Sequence, residues 1–295
     1  MSSSTRSLIS DADLRRGRNR LVYRVVLGVL AVAFTLAFIF PLYWMFSGAL
    51  KSPQELVQPV PTLLPQEWHW SAFADAWQRL QVGHFLFNTA YYAFFGWLIQ
   101  LLVDVAAAYA LSKLRPVFGK VVLGGMLASL MLPAAALLVP AYLTVVDVPI
   151  VGLNLLNSPW ALWLPGAANA FNIYVLKRFF DQIPDDLLEA ASIDGAGRLR
   201  TLWNVILPLS LPVLAVISIF AIIGSWKDFL WPLLVLQDPQ QQTISVALSR
   251  LSFTGQVPQN ELYAGLAMAS IPMIIVFMIF QRRILNGLSA GAIKG

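Results

Sequence analysis

The chain has 295 residues, 58% of them hydrophobic and only 12% charged, and a formal net charge of +5. Soluble domains usually carry about 25% charged residues, so a globule of this composition would lack the polar surface that an aqueous enzyme needs. Cysteine is absent, which excludes disulfide frameworks, thiolate metal sites and cysteine nucleophiles together; the basic excess fits the charge bias of membrane proteins, without nucleic acid as a partner.

A helix crossing the hydrocarbon core of about 30 Å needs roughly 20 mostly apolar residues. Runs of that kind predict an all-α polytopic membrane protein with six spans, at residues 22–46, 85–111, 121–146, 160–180, 207–230 and 262–279. The fifth could reach residue 236, depending on whether Trp231-Pro232 kinks or ends it. The first run is too long for the core of a cleavable signal and reads as an uncleaved anchor. Residues 1–20 form a basic tail, expected to be cytoplasmic and disordered or laid on the anionic leaflet. Residues 21–295 form one transmembrane domain, with core spans over 85–281, a cytoplasmic loop at 181–206 and a cytoplasmic tail at 282–295. Of the 20 Lys and Arg residues, 16 fall on one side of this topology, so both termini are expected to be cytoplasmic in a multi-pass protein of the cell membrane.

On the outer side, residues 51–84 hold four prolines, then Trp68, His69, Trp70, Phe73 and Trp77 in an amphipathic pattern. This reads either as an interfacial helix with tryptophans at headgroup depth or as a docking surface for an external partner.

The most informative stretch lies between the fourth and fifth spans. Pro184 suits a first helical position, and Asp185 and Asp186 then fall where the helix dipole favours negative charge. Leu187, Leu188 and Ala191 follow at helical spacing, with Glu189 and Ser192 elsewhere, and Gly195 and Gly197 end the helix. The small residues Ala190, Ala191 and Gly195 would let another backbone approach closely, while Leu187 and Leu188 would fill an apolar cleft. A stiff knob on the cytoplasmic face docks a partner protein or lies on the bilayer; both readings stand on the residues alone.

Glu189-Ala190-Ala191, three residues, Gly195, nine residues, then Val205-Ile206-Leu207-Pro208 resembles the EAA loop of permease subunits in binding-protein-dependent ABC importers. Val205 stands where that pattern most often has isoleucine. Asp194-Gly195-Ala196, the run Gly224 to Pro232 and the ending Asn286 to Gly295 are similar to the carbohydrate branch, of the maltose or trehalose (MalG-like) kind. The resemblance covers nearly the whole chain from the first span onward. It implies a type I importer (MetI-like) permease fold. In it Glu189, Ala190, Ala191, Asp194 and Gly195, with Leu187 and Leu188, form a coupling helix seated in a cytoplasmic ATPase subunit. It further implies a second, MalF-like permease subunit, an ATPase dimer that binds ATP and Mg, and an extracytoplasmic sugar-binding protein. No cofactor is implied for this chain.

A sugar path needs hydrogen-bonding groups that face protein or water rather than lipid. Asn169 and Asn172 lie three apart in the fourth span, suited to an interhelical bond, to the pathway, or to both. Trp226, Lys227 and Asp228 near the outer end of the fifth span read as a sugar-stacking group or as an aromatic belt with a snorkelling lysine. Asp104, an acid inside the second span, would pair with a neighbouring helix or face a water-filled cavity. An ion-coupled secondary transporter is the rival reading, with Asp104 as its one titratable candidate; matching broken halves, which such carriers ordinarily show, are not evident. The two histidines, His69 and His84, lack metal-ligand spacing, and neither G-x-S-x-G nor a phosphate-cradling G-x-x-x-x-G-K-[ST] occurs. The chain is therefore not expected to be an enzyme.

Overall fold

The computed structural model describes residues 17–292, with side chains for 19–281, and every regular element described is helical. The chain divides into two compact units, residues 1–74 with 258–267, and residues 75–257 with 268–295. Residues 1–16 of the basic tail and residues 293–295 lie outside the described region; helix begins already at Gly17.

In the first unit, α1 (Gly17–Ala49) is largely apolar beyond Arg24 and exposed on all sides over most of its length, as a span surrounded by lipid would be. Its C-terminal end is clasped by the following loop. Tyr43 and Ser47 donate to the Leu63 carbonyl, and the Lys51 ammonium donates to that of Thr62. Lys51 is buried, and its ammonium sits 4.4 Å from the Trp44 ring centroid. The one-turn α2 (Pro53–Leu56) is capped by Ser52 and holds Glu55, whose carboxylate accepts from the Thr62 hydroxyl and the Gln66 backbone. Trp68 and Trp70 stack at 5.9 Å between centroids and stay more than half exposed, before the short helix α3 (Ser71–Arg79).

The second unit is built on α4 (Val82–Tyr109), which continues through a π-helical turn at Ala110–Leu114. The expected third span is bent. Helices α5 (Gly119–Ser129) and α6 (Ala134–Val146) meet at 111° across Leu130–Pro133, because Pro133 lacks an N–H and bars Leu132 from helical angles. The expected fourth span is two short helices, α7 (Trp160–Gly166) and α8 (Ala170–Asp181), separated at residues 167–169. Beyond lie α9 (Asp185–Ile193) and α10 (Arg198–Thr201), the latter extended by a π-turn to Leu209 and bent 82° from α11 (Leu211–Lys227) at Ser210. The fifth span ends at Lys227, where Asp228 is extended, rather than at Trp231-Pro232; α12 (Leu230–Val235) then starts afresh. Next come α13 (Ile244–Thr254), with four buried apolar residues, and α14 (Gln259–Ala292), which runs on into the expected tail.

Three helices among the described residues are long and apolar enough to cross a membrane, and the two bent pairs raise the number to five. The broken α7–α8 segment, the expected fourth span, is the one left out, because neither half is long enough to count. Two cores hold the second unit. One packs Val105, Ala108 and Tyr109 of α4 against Ile173, Leu176 and Phe180 of α8, with Ile206 and Ile217; the other gathers Tyr92, Val145, Ala161, Trp163, Val235 and Leu236.

Candidate functional site: a polar cavity and a protruding helix

The break between α7 and α8 has an identifiable cause. A helix end leaves unsatisfied N–H groups, and inside a membrane these need a protein partner. Asn169 caps α8 by accepting from the Asn172 N–H at 3.1 Å. The fully buried Asp104 of α4 adds two bonds at the same end: Oδ1 accepts from the Asn169 backbone N–H at 2.8 Å, and Oδ2 accepts from Asn172 Nδ2 at 3.1 Å. Of the two readings for Asp104, the pairing with a neighbouring helix is the one observed. Asn169 and Asn172 make that pairing and also line a cavity.

That cavity has a volume of about 760 Å³ and opens beside the break. Its wall is amphipathic. Faces of Tyr92, Trp163, Phe171, Phe220 and Trp231 alternate with Gln100, Asn169, Asn172, Ser225, Asp228 and Thr243. Two of the aromatic rings are fixed by their own hydrogen bonds, Trp163 Nε1 to the Tyr92 carbonyl at 3.1 Å and Trp231 Nε1 to that of Ala161 at 2.9 Å. The Asp228 carboxylate accepts from the Phe229 and Trp231 backbone N–H groups just ahead of and within α12. The structure thus brings Asn169, Asn172 and Asp228 to one cavity and leaves Trp226 and Lys227 out of its wall, Lys227 being exposed. Sequence reasoning missed Gln100, Trp97 and Thr243, which lie in apolar or loop surroundings with no local motif to mark them.

The second feature is α9. Pro184 is its cap rather than its first residue, with φ −56° and ψ 136°. At the other end Asp194 is the C-cap and Gly195 takes φ +76°, the left-handed region that glycine tolerates. The Ala196 N–H reaches the Ala191 carbonyl at 2.9 Å and the Gly195 N–H reaches that of Ser192 at 3.0 Å, a Schellman closure. Leu187, Glu189, Ala190, Ser192 and Ile193 are exposed, Ile193 by 86%. Leu188 departs from expectation: it is half-buried and packs on the inner core beside Phe180 and Ile183, so it anchors the helix while Leu187 remains outward. Residues one apart on a helix point about 100° apart, so one of an adjacent leucine pair has to turn inward.

The base of α9 is locked to the end of α4. Lys113 Nζ donates to the Ile183 carbonyl and to Asp185 Oδ1, both at 2.8 Å, with its own side chain nearly buried. Ser112 donates to Asp181 at 2.7 Å, Lys177 pairs with the same carboxylate at 2.8 Å, and Tyr109 donates to the Arg198 carbonyl at 3.0 Å. The Lys113 ammonium holds the Asp185 carboxyl below the usual carboxylate range. Partial burial pushes Asp181 up, but hydrogen bonds from Lys177 and Ser112 outweigh it and hold that carboxyl low as well. A stiff, capped, largely apolar projection joined to a span by charged bonds is suited to transmitting force; it holds no arrangement of nucleophile and base.

Residues 105–289 match the family described as binding-protein-dependent transport system inner membrane component. The chain is 30% identical over 272 residues to the sn-glycerol-3-phosphate transport system permease protein UgpE of Yersinia pestis, covering 90% of this chain and 93% of that one. It is 32% identical to the sulfoquinovosyl glycerol transport system permease protein SmoH of Agrobacterium fabrum, over 87% of this chain and 89% of that one. The melibiose/raffinose/stachyose import permease protein MelC of Bacillus subtilis is 30% identical over 92% and 96%. Among solved structures, a bacterial ABC transporter involved in the import of the acidic polysaccharide alginate superposes with a TM-score of 0.80 at 27% identity, covering 94% of this chain and 99% of that chain. In such systems the permease and the ATPase are separate polypeptides, and this chain is on the permease side. It belongs to the binding-protein-dependent transport system inner membrane components, the multi-pass permeases of ABC importers.

Proposed function

We propose that the chain is one of two permease subunits of an ATP-driven, binding-protein-dependent carbohydrate importer, with six spans and both termini in the cytoplasm. In this reading the broken α7–α8 segment crosses the membrane as one span, its interruption satisfied by Asp104. The cavity beside it is half of the sugar path. Helix α9 is the coupling element, and Glu189, Ala190, Ala191, Asp194 and Gly195 meet a cleft in a cytoplasmic ATPase dimer that binds ATP and Mg. A MalF-like second permease subunit and an extracytoplasmic sugar-binding protein complete the assembly.

The observation that carries the reading is the exposed, doubly capped α9, anchored by Lys113 and Leu188. Closure of the ATPase pair would move it as a rigid body together with α4, switching the path between inward-facing and outward-facing states. Support for a sugar cargo comes from the cavity, which combines aromatic faces for C–H surfaces with amide, hydroxyl and carboxylate groups for hydroxyls, and from a relative named for melibiose, raffinose and stachyose.

The chain's lack of cysteine permits a direct test. Ser192→Cys in the assembled complex should crosslink to a single cysteine in the ATPase cleft, and sugar-loaded binding protein should stimulate ATP hydrolysis. A crosslink only to lipid would refute the coupling role. Uptake that survives ATPase inactivation but collapses with the proton gradient would favour an ion-coupled carrier instead.

A further inference from the structure

The cavity's charge balance bears on which saccharides it passes. Among the 24 residues that line it there is no lysine, arginine or histidine, and one carboxylic acid, Asp228. A second carboxylate, Asp104, stands directly behind the wall, bonded to the lining residues Asn169 and Asn172. Lys227, adjacent in sequence, is exposed and absent from the wall. Both acids are bound by neutral donors, the backbone N–H groups of Phe229 and Trp231 for Asp228, and Asn169 and Asn172 for Asp104.

Charges act over longer distances in a low-dielectric wall than in water, and an anion crossing such a site needs a fixed cation, typically an arginine or lysine. The wall has the opposite complement. What it offers instead suits neutral hydroxyls. Gln100, Asn169 and Asn172 add amides, Ser225 adds a hydroxyl, and the aromatic residues Tyr92, Phe171 and Phe220 line the same wall for stacking.

We infer that this permease passes neutral oligosaccharides or glycosides and selects against sugars carrying phosphate, sulfonate or uronate groups. The inference rests on the carbohydrate reading of the same cavity and narrows it. It sets the chain apart from similar proteins named for anionic cargo, such as sn-glycerol-3-phosphate and the acidic polysaccharide alginate.

The test is uptake by the complete complex, with its native binding protein, in proteoliposomes. Two matched panels serve as probes: neutral di- and trisaccharides such as maltose, trehalose, melibiose and raffinose, and anionic sugars such as glucose 6-phosphate and digalacturonate. Uptake is expected from the neutral panel only. The variants Ser225→Lys and Asp228→Asn, made separately because Asp228 also bonds the backbone at the start of α12, should each lower the preference for neutral over anionic cargo by about tenfold, or about 1.4 kcal/mol. Transport of an anionic sugar by the unaltered complex at a rate matching the neutral ones would overturn the charge selection while leaving the carbohydrate importer intact. Transport of a non-saccharide alone would overturn both.

Discussion

Asp104 is the residue whose removal tests the membrane architecture most directly. Truncation by Asp104→Ala removes the acceptor of the Asn169 backbone N–H and of the Asn172 amide, which it binds at 2.8 and 3.1 Å. An unsatisfied buried donor costs about 1–3 kcal/mol, so the two together come to about 2–6 kcal/mol, set against a typical domain stability of about 5–15 kcal/mol. Asp104→Asn keeps an acceptor for the Asn169 N–H, and a half-turn of the Asn172 amide restores the second bond, so its cost should fall to about 1 kcal/mol. The order of thermal unfolding midpoints in detergent is therefore wild type, then Asp104→Asn, then Asp104→Ala, with sugar uptake following the same order. Because α7 has 7 residues and α8 has 12, neither can hold its place alone, and hydrogen exchange at Asn169 to Ile173 should rise sharply in Asp104→Ala. An unaltered midpoint and unaltered exchange in that variant would refute the claim that the acid secures the break.

Three further outcomes bear on the coupling region. The Asp185 carboxyl lies below its ordinary value of 3.8 because Lys113 favours the charged form; a lowered folded pKa adds stability above the ordinary value and loses it as pH falls through the folded one. A spin label at Ser192 should thus keep the same mobility from pH 8 to about pH 5 and loosen only below about pH 4, whereas Lys113→Ala should loosen it at every pH. Gly195→Ala places a Cβ at φ +76° in otherwise open space and should cost about 1 kcal/mol with partial loss of uptake. Gly195→Pro cannot adopt that φ and deletes the bond to Ser192, so uptake should vanish while membrane insertion persists. Glu189→Lys reverses one charge on the exposed face of α9 and should abolish sugar-stimulated ATP hydrolysis without lowering the amount of inserted protein; normal stimulation would remove Glu189 from the docking face.

What the sequence disclosed depended on how local the cause was. The capping of α9 was legible because Pro184 and Gly195 act through their own backbone angles. The apolar runs were legible because hydrocarbon thickness sets their length. The bend at Pro133 and the break after Gly166 were merged into continuous spans, since hydropathy is blind to direction; the Pro165-Gly166 pair was the signal available for the second. Leu188 was assigned outward because an apolar residue reads the same whether it meets a partner or its own core. Nothing near Lys113 in the chain announces Asp185, 72 positions away, and nothing near Asp104 announces Asn169; such pairs exist only once helices are packed. Trp226 and Lys227 were grouped with Asp228 by adjacency, yet Asp228 alone reaches the cavity wall.

Asp104 and Ser112 are eight residues apart on one continuous rod, about 12 Å at helical rise. The pin that keeps the α7–α8 break in position and the rivets that hold the protruding knob are thus mounted on the same short spar. No loop intervenes to absorb travel, so a tilt applied at α9 is delivered to the cavity wall at nearly full stroke.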